Sequence, residues 1–526
     1  YNASSDEKYR LFWSKLCPTE ISCVNALTDL LENPDKFIQQ DFWKRYNDRF
    51  IVNTLYTKHN QQLVYYNNGL WKHGSDVARL IIERLIINMY DGYKKDWTAK
   101  IKELSKQGDN PAFSKYVKDV TKKIDALLCR FHSSSSWTTN IANKIYKKIL
   151  TTESMEKKIQ FNLMPITKHY IQFKNGAFNL RTGLLERRTR EMYISKTLDY
   201  SYKKVELFDE IDIILKQILP EEKYRVAALR WRGLCLTGVT KEQKFVLNVG
   251  EAACNGKSTQ SMIFEKCFPL YCKKIGNDTF DKGAKTMFNK AMASMANKPI
   301  RLVYMEEWGE EAQDTNLIKQ TIGSSTLTVK PLYQEEIEMS IQFKLEAGSN
   351  YNPNTKSDNG LNRRGAKFEY ESRFVNAEDV DESKHMYLKN IDLLSLFDDD
   401  DYKLSYFNLL APYAKLYYEE GLVLPVECET MFQEACEEGD VWVDFVDEFE
   451  VSTEDIHKDH LLEIAKEYFN DNNITAKECR REFKKRGFKY ESQKMKTIEL
   501  LDWKNEKTGQ NVRKKGWFVG IKRIVL

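Results

Sequence analysis

The stretch VLNVGEAACNGKST, residues 246–259, constrains this chain more than any other. Phe245, Val246, Leu247 and Val249 form a short apolar run of the kind that becomes a buried strand, and Gln260, Met262, Ile263 and Phe264 continue as a helix. Between them lie Gly250, Glu251, Ala252, Ala253, Cys254, Asn255 and Gly256, followed by Lys257, Ser258 and Thr259. A loop of small residues running from strand into helix lets consecutive backbone N–H groups curl around phosphate oxygens at a helix N-terminus. In that geometry Lys257 reaches the β- and γ-phosphates of a nucleotide, and the Ser258 hydroxyl ligates Mg²⁺. The spacing is one residue long for the Walker A pattern, because five residues separate Gly250 from Gly256. Either Glu251 takes the first glycine's place or the loop is longer by one. The plainer alternative is an ordinary strand–helix turn.

A phosphate loop that hydrolyses needs carboxylates at a neighbouring strand end. The segment IRLVYMEEWGEE (300–311) supplies Glu306 and Glu307 after the apolar run Leu302 to Met305. One carboxylate, Glu306, would help hold Mg²⁺ through its water shell, while Glu307 would polarise the attacking water. A solvated Glu-Glu pair is the bland reading. A small-molecule kinase would need a phosphoryl-acceptor site, and the sequence presents none. Further on, NLIKQTIGSSTLTVKPLYQEEIEMSIQFKLEAGSNYNP (316–353) reads as a helix, a Gly-Ser-Ser turn, two alternating strands and then Asn350 after a strand. Asn350 beside Glu307 would orient the water. Arg363 and Arg364 follow in NGLNRRGAKFEY. Such a pair is ordinarily solvated charge, but an arginine reaching a nucleotide's phosphates can be worth ~10³–10⁵ in rate.

Composition excludes several classes. The chain has 526 residues, enough for about three or four domains. With 81 Lys/Arg against 77 Asp/Glu the net charge is +4, so any nucleic-acid surface has to be local. There is no apolar run of eighteen residues and no secretory signal, which predicts a soluble, intracellular chain with no membrane partner. The ten cysteines include no Cys-x-x-Cys pair. Cys17 with Cys23, or Cys267 with Cys272, lack complementary His/Cys partners at zinc spacing, so buried free thiols are expected. The Asn2-Ala3-Ser4 sequon carries no weight without a secretory signal, and Tyr1 in place of Met predicts a piece of a longer protein.

Before the loop, DVARLIIERLIINMY (76–90) reads as a core helix. QQLVYYNNGLWKHG (61–74) and IQFKNGAFNLRTGLL (171–185) read as strands around Asn-Gly and Thr-Gly turns. Helices rich in Leu, Ile and Ala fill 206–240, ending at Gly233 and Gly238. An acidic loop peaks at Asp398–Asp401, and YFNLLAPYAKLYYEEG (406–421) is helical. In the last ninety or so residues, Ser452 and Thr453 would cap a helix, and Thr475 with Glu478 makes a capping box for a second, stopped by Gly487. TIELLDW and GWFVGIKRIVL then read as a two-stranded wing, a winged-helix pattern. The segment 477–496 holds nine Lys/Arg against three Glu, interleaved with Phe483, Phe488 and Tyr490, and the wing adds Trp517. That surface suits duplex phosphates. An ordinary basic or protein-docking face is the alternative.

Taken in order, phosphate loop, Glu-Glu strand end, Gly turn with hairpin, Asn350 and the Arg pair resemble the superfamily 3 helicases. More narrowly, the chain is similar to the primase-helicases of poxviruses, asfarviruses and related large DNA viruses. FKNGAFNLRTGLLE (173–186) resembles the domain before the helicase core of that family, and LRWRGLCLTG (229–238) its linker. The resemblance implies an α/β, AAA+-like P-loop ATPase core at 241–385. It adds a mixed α+β N-terminal domain at 1–205, a helical collar or linker at 206–240, a helical lid at 386–430 and a winged-helix-like domain at 431–526.

It further implies ATP and Mg²⁺ as cofactors, bound by residues 250–259. Lys257, Glu306, Glu307 and Asn350 would be the catalytic set, Ser258 and Glu306 the metal ligands, and Arg363 or Arg364 a finger supplied to the neighbouring subunit. Lys330 would contact DNA from a hairpin. The implied activity is 3′ to 5′ unwinding of single-stranded and forked DNA by a homo-hexamer in the host-cell cytoplasm, with a viral polymerase or processivity protein among its partners. A ring-forming DNA loader or scaffold with little unwinding is the alternative.

Overall fold

The computed structural model describes residues 33–53, 62–104, parts of 115–129, 135–157, 159–250, 253–308, 313–330, 336–352, 359–438, 441–470, 474–497 and 513–524. The sequon, Cys17, Cys23, Glu251, Ala252, Pro331 and nearly all of TIELLDW lie outside them. The chain is mixed α/β and divides into two compact units, the first comprising Tyr1–Asn179 with Leu184–Ser201 and the second the remainder.

In the first unit, helix α1 (Pro34–Tyr46) leads into strands β1 (Phe50–Asn53), β2 (Gln62–Asn67) and β3 (Leu70–His73), then helices α2 (Ser75–Leu104) and α3 (Ser135–Thr151). With β4 (Glu156–Lys157) the strands form a sheet in the order β3-β2-β1-β4. The β2–β3 hairpin turns on Asn68 (φ 49°) and Gly69 (φ 82°). Two left-handed residues in succession match the twist of a hairpin, which is why Asn-Gly occupies the turn. Ile82, Ile86 and Met89 of α2 and Ile141, Ile145 and Ile149 of α3 pack on Phe50, Val52 and Leu63. A second sheet, β5 (Tyr170–Phe173), β6 (Gly176–Asn179) and β7 (Leu184–Glu186), is a plain antiparallel meander.

The second unit begins with helices α4 (Asp209–Ile218) and α5 (Glu222–Leu236). Gly233 lies inside α5 instead of ending it: a Cβ there would stand 2.7 Å from the backbone of Tyr413, so the glycine serves a close helix crossing. Strand β8 (Phe245–Val249) is followed by α6 (Lys257–Cys267), β9 (Cys272–Lys274), α7 (Lys285–Met295) and β10 (Leu302–Met305). Next come α8 (Thr315–Gly323), the antiparallel pair β11 (Thr326–Val329) and β12 (Ile337–Ser340), then β13 (Lys344–Ser349) and β14 (Gly365–Glu369). Strands β14-β8-β13-β10-β9 form one parallel sheet in that order. Its three inner strands β8, β13 and β10 are buried on both faces, as crossover helices require.

After the short parallel pair β15 (Arg373–Val375) and β16 (Met386–Leu388), helix α9 (Asp400–Glu420) packs on α5. The acidic run is not a loop centre. The Asp399 carboxylate accepts from the Asp401 N–H, and Asp400 and Asp401 form the first turn, where negative charge is favoured. Helices α10 (Val426–Glu438) and α11 (Val441–Asp447) precede β17 (Phe449–His457), α12 (Lys458–Tyr468), α13 (Ala476–Lys485), β18 (Lys489–Thr497) and β19 (Arg513–Arg523).

Three sequence expectations fail here. Ser452 and Thr453 sit in strand β17, and His457 caps α12 instead, its Nδ1 accepting from the Asp459 N–H. The wing is not two-stranded: β17 joins it, β18 is drawn from the basic segment itself, and the order is β17-β19-β18. Phe483 and Trp517 face the core, because the amphipathic α13 and the β19 face bury them against Phe445, Phe449 and His457. Thr475 and Glu478 do form both bonds of the capping box.

Candidate nucleotide site

Strand β8 ends at Val249, and the chain turns at Gly250, where a Cβ would stand 2.8 Å from the Tyr370 carbonyl oxygen. Cys254 (φ 60°) and Gly256 (φ 86°) are both left-handed, which curls the loop back before α6 starts at Lys257. Gly256 tolerates no side chain on space either, since a Cβ would meet Ile218 at 2.7 Å. The segment after β14 holds the loop from outside: Phe374 N–H donates to the Cys254 carbonyl at 2.8 Å. Ser258 and Thr259 are half-buried in the first turn of α6, and the Cys254 side chain is exposed.

Lys257 is buried, 7% exposed. Its ammonium donates to the Gly250 carbonyl oxygen at 2.8 Å and to Asn350 Oδ1 at 2.9 Å. Both acceptors are neutral. Burial therefore lowers its pKa to about 8, and the Glu307 carboxylate pulls the other way. A buried cation on two uncharged oxygens, at the N-terminus of an eleven-residue helix, is electrostatically incomplete until an anion arrives.

Sheet order puts Asn350 there. The central strand β13 lies between β8 and β10, so the residue after Ser349 falls between the loop that follows β8 and the Glu306–Glu307 strand end. Gly348 permits the approach: a Cβ would stand 2.6 Å from the Glu306 carbonyl oxygen. The two glutamates are not equivalent. Glu306 forms an ion pair with Lys274 at the end of β9, whereas the exposed Glu307 acts on Lys257 through its charge. Beside the loop opens a cavity of about 730 Å³, lined by Gly250, Asn350, Tyr351, Lys367, Glu369 and Arg373 among others. Sequence reading missed Lys367, Tyr351 and Arg373. The rule that ligands sit outside the carboxyl ends of parallel strands points to Tyr351 after β13 and Arg373 after β14, whereas Lys367 lies within β14.

Under the sheet, Glu346 of β13 accepts from Arg232 (2.6 Å), Trp231 Nε1 (2.9 Å), Asn248 (3.1 Å) and the Ser261 hydroxyl (2.7 Å). Every member is buried. Burial is the largest influence and opposes the Arg232 charge, but Glu346 together with Tyr406, Cys235 and Tyr370 holds the guanidinium above its ordinary pKa. One acid thereby ties linker helix α5 to the strand bearing Asn350 and the helix bearing Lys257.

The remaining candidates lie elsewhere. Arg363 and Arg364 precede β14, which runs parallel to β8 and whose first residue pairs with Phe245, so they sit at the opposite end of the strands from the loop. Five residues of strand put them roughly 16 Å away. Arg363 is exposed. Arg364 is half-buried, donating to the Gly360 carbonyl at 2.5 Å and to Gln243 Oε1 at 3.3 Å. Lys330 is exposed, directly after β11.

No family model matches the chain. It is similar to a protein of Acanthamoeba polyphaga mimivirus that carries a provisional helicase name, 26% identical over 303 residues. The match takes in 55% of this chain and 31% of that protein, so the chain spans about a third of its relative's length. Among solved structures it resembles the apo C-terminal region of NrS-1, residues 305–718, at 10% identity and a TM-score of 0.42, covering 90% of this chain and 95% of that one. An A-form apo structure of the same region gives 9% identity and a TM-score of 0.38, covering 90% and 96%. That likeness is loose. Among the described residues no helix is long and apolar enough to cross a membrane.

Proposed function

We propose that the chain is the ATP-hydrolysing part of a viral DNA helicase of superfamily 3, with an AAA+-like core working as a homo-hexamer. The observation that carries the reading is Lys257: a buried ammonium on two neutral oxygens, at a helix N-terminus, with Asn350 and Glu307 brought to it by the sheet order. The helicase name of the mimiviral relative supports the same reading.

In this proposal the backbone of residues 250–259 cradles the triphosphate, and Lys257 exchanges its two neutral acceptors for β- and γ-oxygens. Ser258 and Glu306 are the residues that would hold Mg²⁺, Glu306 after leaving Lys274. Bound Mg²⁺ would neutralise charge on the phosphate oxygens. Glu307 takes the proton of the attacking water, and Asn350, released by Lys257, orients that water.

Arg363 lies too far from its own loop to touch the nucleotide and is exposed, which suits a finger supplied to a neighbouring subunit. Arg364 is occupied by contacts within its own subunit. Lys330, the first residue of the β11–β12 connection, is where a translocating strand would be gripped, with 3′ to 5′ movement implied by the family resemblance. Cytoplasmic replication and contact with a viral polymerase or processivity protein belong to the same resemblance.

The test is ATP-dependent unwinding of a forked duplex by the wild-type chain and by Lys257→Ala. Strand separation by wild type alone supports the proposal. ATP hydrolysis by wild type without fork opening would replace it with the loader or scaffold reading and remove the role given to Lys330.

A further inference from the structure

The first unit contains an open cavity of about 800 Å³ that the nucleotide site does not use. Three pieces of chain wall it. The end of α1 and the turn after it bring Arg45, Asp48 and Arg49, the β2–β3 hairpin brings Tyr66 to Gly69, and the meander brings Asn175, Gly176 and Leu185 to Arg188 with Arg190. Five arginines thus face one space with two acids, a surplus of three positive charges.

The acids and two of the arginines are already engaged. Asp48 forms an ion pair with Arg190, and Arg45 pairs with Asp41 at 2.7 Å. The Glu186 carboxylate accepts from the Tyr170 hydroxyl at 3.0 Å and from Asn179 at 2.8 Å. Arg188 is fixed in place: its guanidinium donates to the carbonyl oxygens of Phe173 (2.6 Å), Gly176 (2.9 Å) and Lys174 (3.0 Å). A side chain at Gly69 would stand 3.5 Å from Arg188 Nε, so this one arginine spans the two hairpin turns. Arg49 lies over the Tyr46 ring at 5.0 Å, and Arg187 is exposed; neither has a carboxylate partner among the described residues.

We infer that this groove binds the phosphodiester backbone of a single nucleic-acid strand. Planar guanidinium forks match phosphate oxygens two donors at a time. Asn67, Asn68 and Asn175 add neutral amides of the kind that also contact phosphate and sugar oxygens. The volume exceeds what one phosphate fills. A free magnesium triphosphate fits less well, because both acids of the groove are committed to protein partners and the wall has no loop running into a helix N-terminus.

The experiment measures anisotropy of a fluorescein-labelled oligo-dT with the full chain, without ATP or Mg²⁺, over a range of salt. Arg49→Ala with Arg187→Ala is compared with the unaltered pair, each in the Lys257→Ala background, so that failure of the ATPase reading cannot affect the result. Both arginines are exposed, so the melting curve should not move. Loss of two phosphate contacts should weaken binding by about tenfold or more and lower the log–log salt slope by about 1.4. Unchanged affinity and slope would overturn the inference. So would intact oligo-dT binding accompanied by loss of free ATP binding, which would reassign the groove to a nucleotide. A Lys330→Ala control should leave the loss caused by the arginine pair unaltered.

Discussion

If the proposed ATP site is right, raising the pH through 8 should weaken ATP binding, because the cation assigned to the phosphates in that proposal loses its proton there. Lys257 titrates near 8 in the empty site. Its charged fraction falls from about nine-tenths at pH 7 to about one-tenth at pH 9, a tenfold loss worth ~1.4 kcal/mol. The triphosphate's own last proton leaves near pH ~6, so a titration begun at about pH 7.5 isolates the lysine. Calorimetry with a non-hydrolysable ATP analogue at half-unit steps to about pH 9.5 reads the effect, with proton uptake accompanying binding above pH 8.

Lys257→Arg should flatten the profile, since a guanidinium does not titrate in this range. The same group affects folding in the opposite sense. Its folded pKa of about 8 lies below the ordinary 10.5, so between those values the unfolded chain binds more protons and stability rises with pH. Weaker binding there cannot then be blamed on unfolding by this residue. A flat affinity in wild type, or an equal slope in Lys257→Arg, would refute the argument.

Other outcomes follow from the same geometry. Glu307→Gln should keep ATP affinity while hydrolysis falls by ~10²–10⁴, and undiminished turnover would remove it as the base. Glu346→Ala strands the buried Arg232 and should cost about 3–5 kcal/mol in urea unfolding, whereas Glu346→Leu combined with Arg232→Met should recover most of it. A loss under about 1 kcal/mol would show that the network is not what holds α5 to the sheet. Arg363→Ala should cut ATPase turnover by ~10³ or more without moving the melting temperature. Arg364→Ala should lower that temperature through about 1–3 kcal/mol of lost buried bonds, and the reverse pattern would exchange their roles.

Local pattern was enough for the strand, loop and helix across 245–267, for the strand that ends before Glu306 and for most of the hairpins. Each depends on neighbours in sequence: an apolar run before small residues, Asn-Gly where two left-handed residues are required, Thr475 and Glu478 three apart. Where the same local rules misread the chain, long-range packing outweighed them. Ser452 and Thr453 can cap a helix, but pairing of β17 with β19 claims them for a strand. Gly233 can stop a helix, but α9 crosses too closely for any other residue at that point inside α5.

The sequence by itself determined which residues could hold phosphate, polarise water or carry free charge, because those are properties of residue type and short spacing. Only the tertiary structure decided which of them meet. Strand order placed Asn350 on Lys257 across ninety-three positions of chain, and one buried acid joined Arg232 to Ser261. It also distinguished Glu307 from Glu306 and Arg363 from Arg364, pairs that are chemically alike and adjacent in sequence. Burial and the nearest opposite charge separate them, and neither exists before the chain folds.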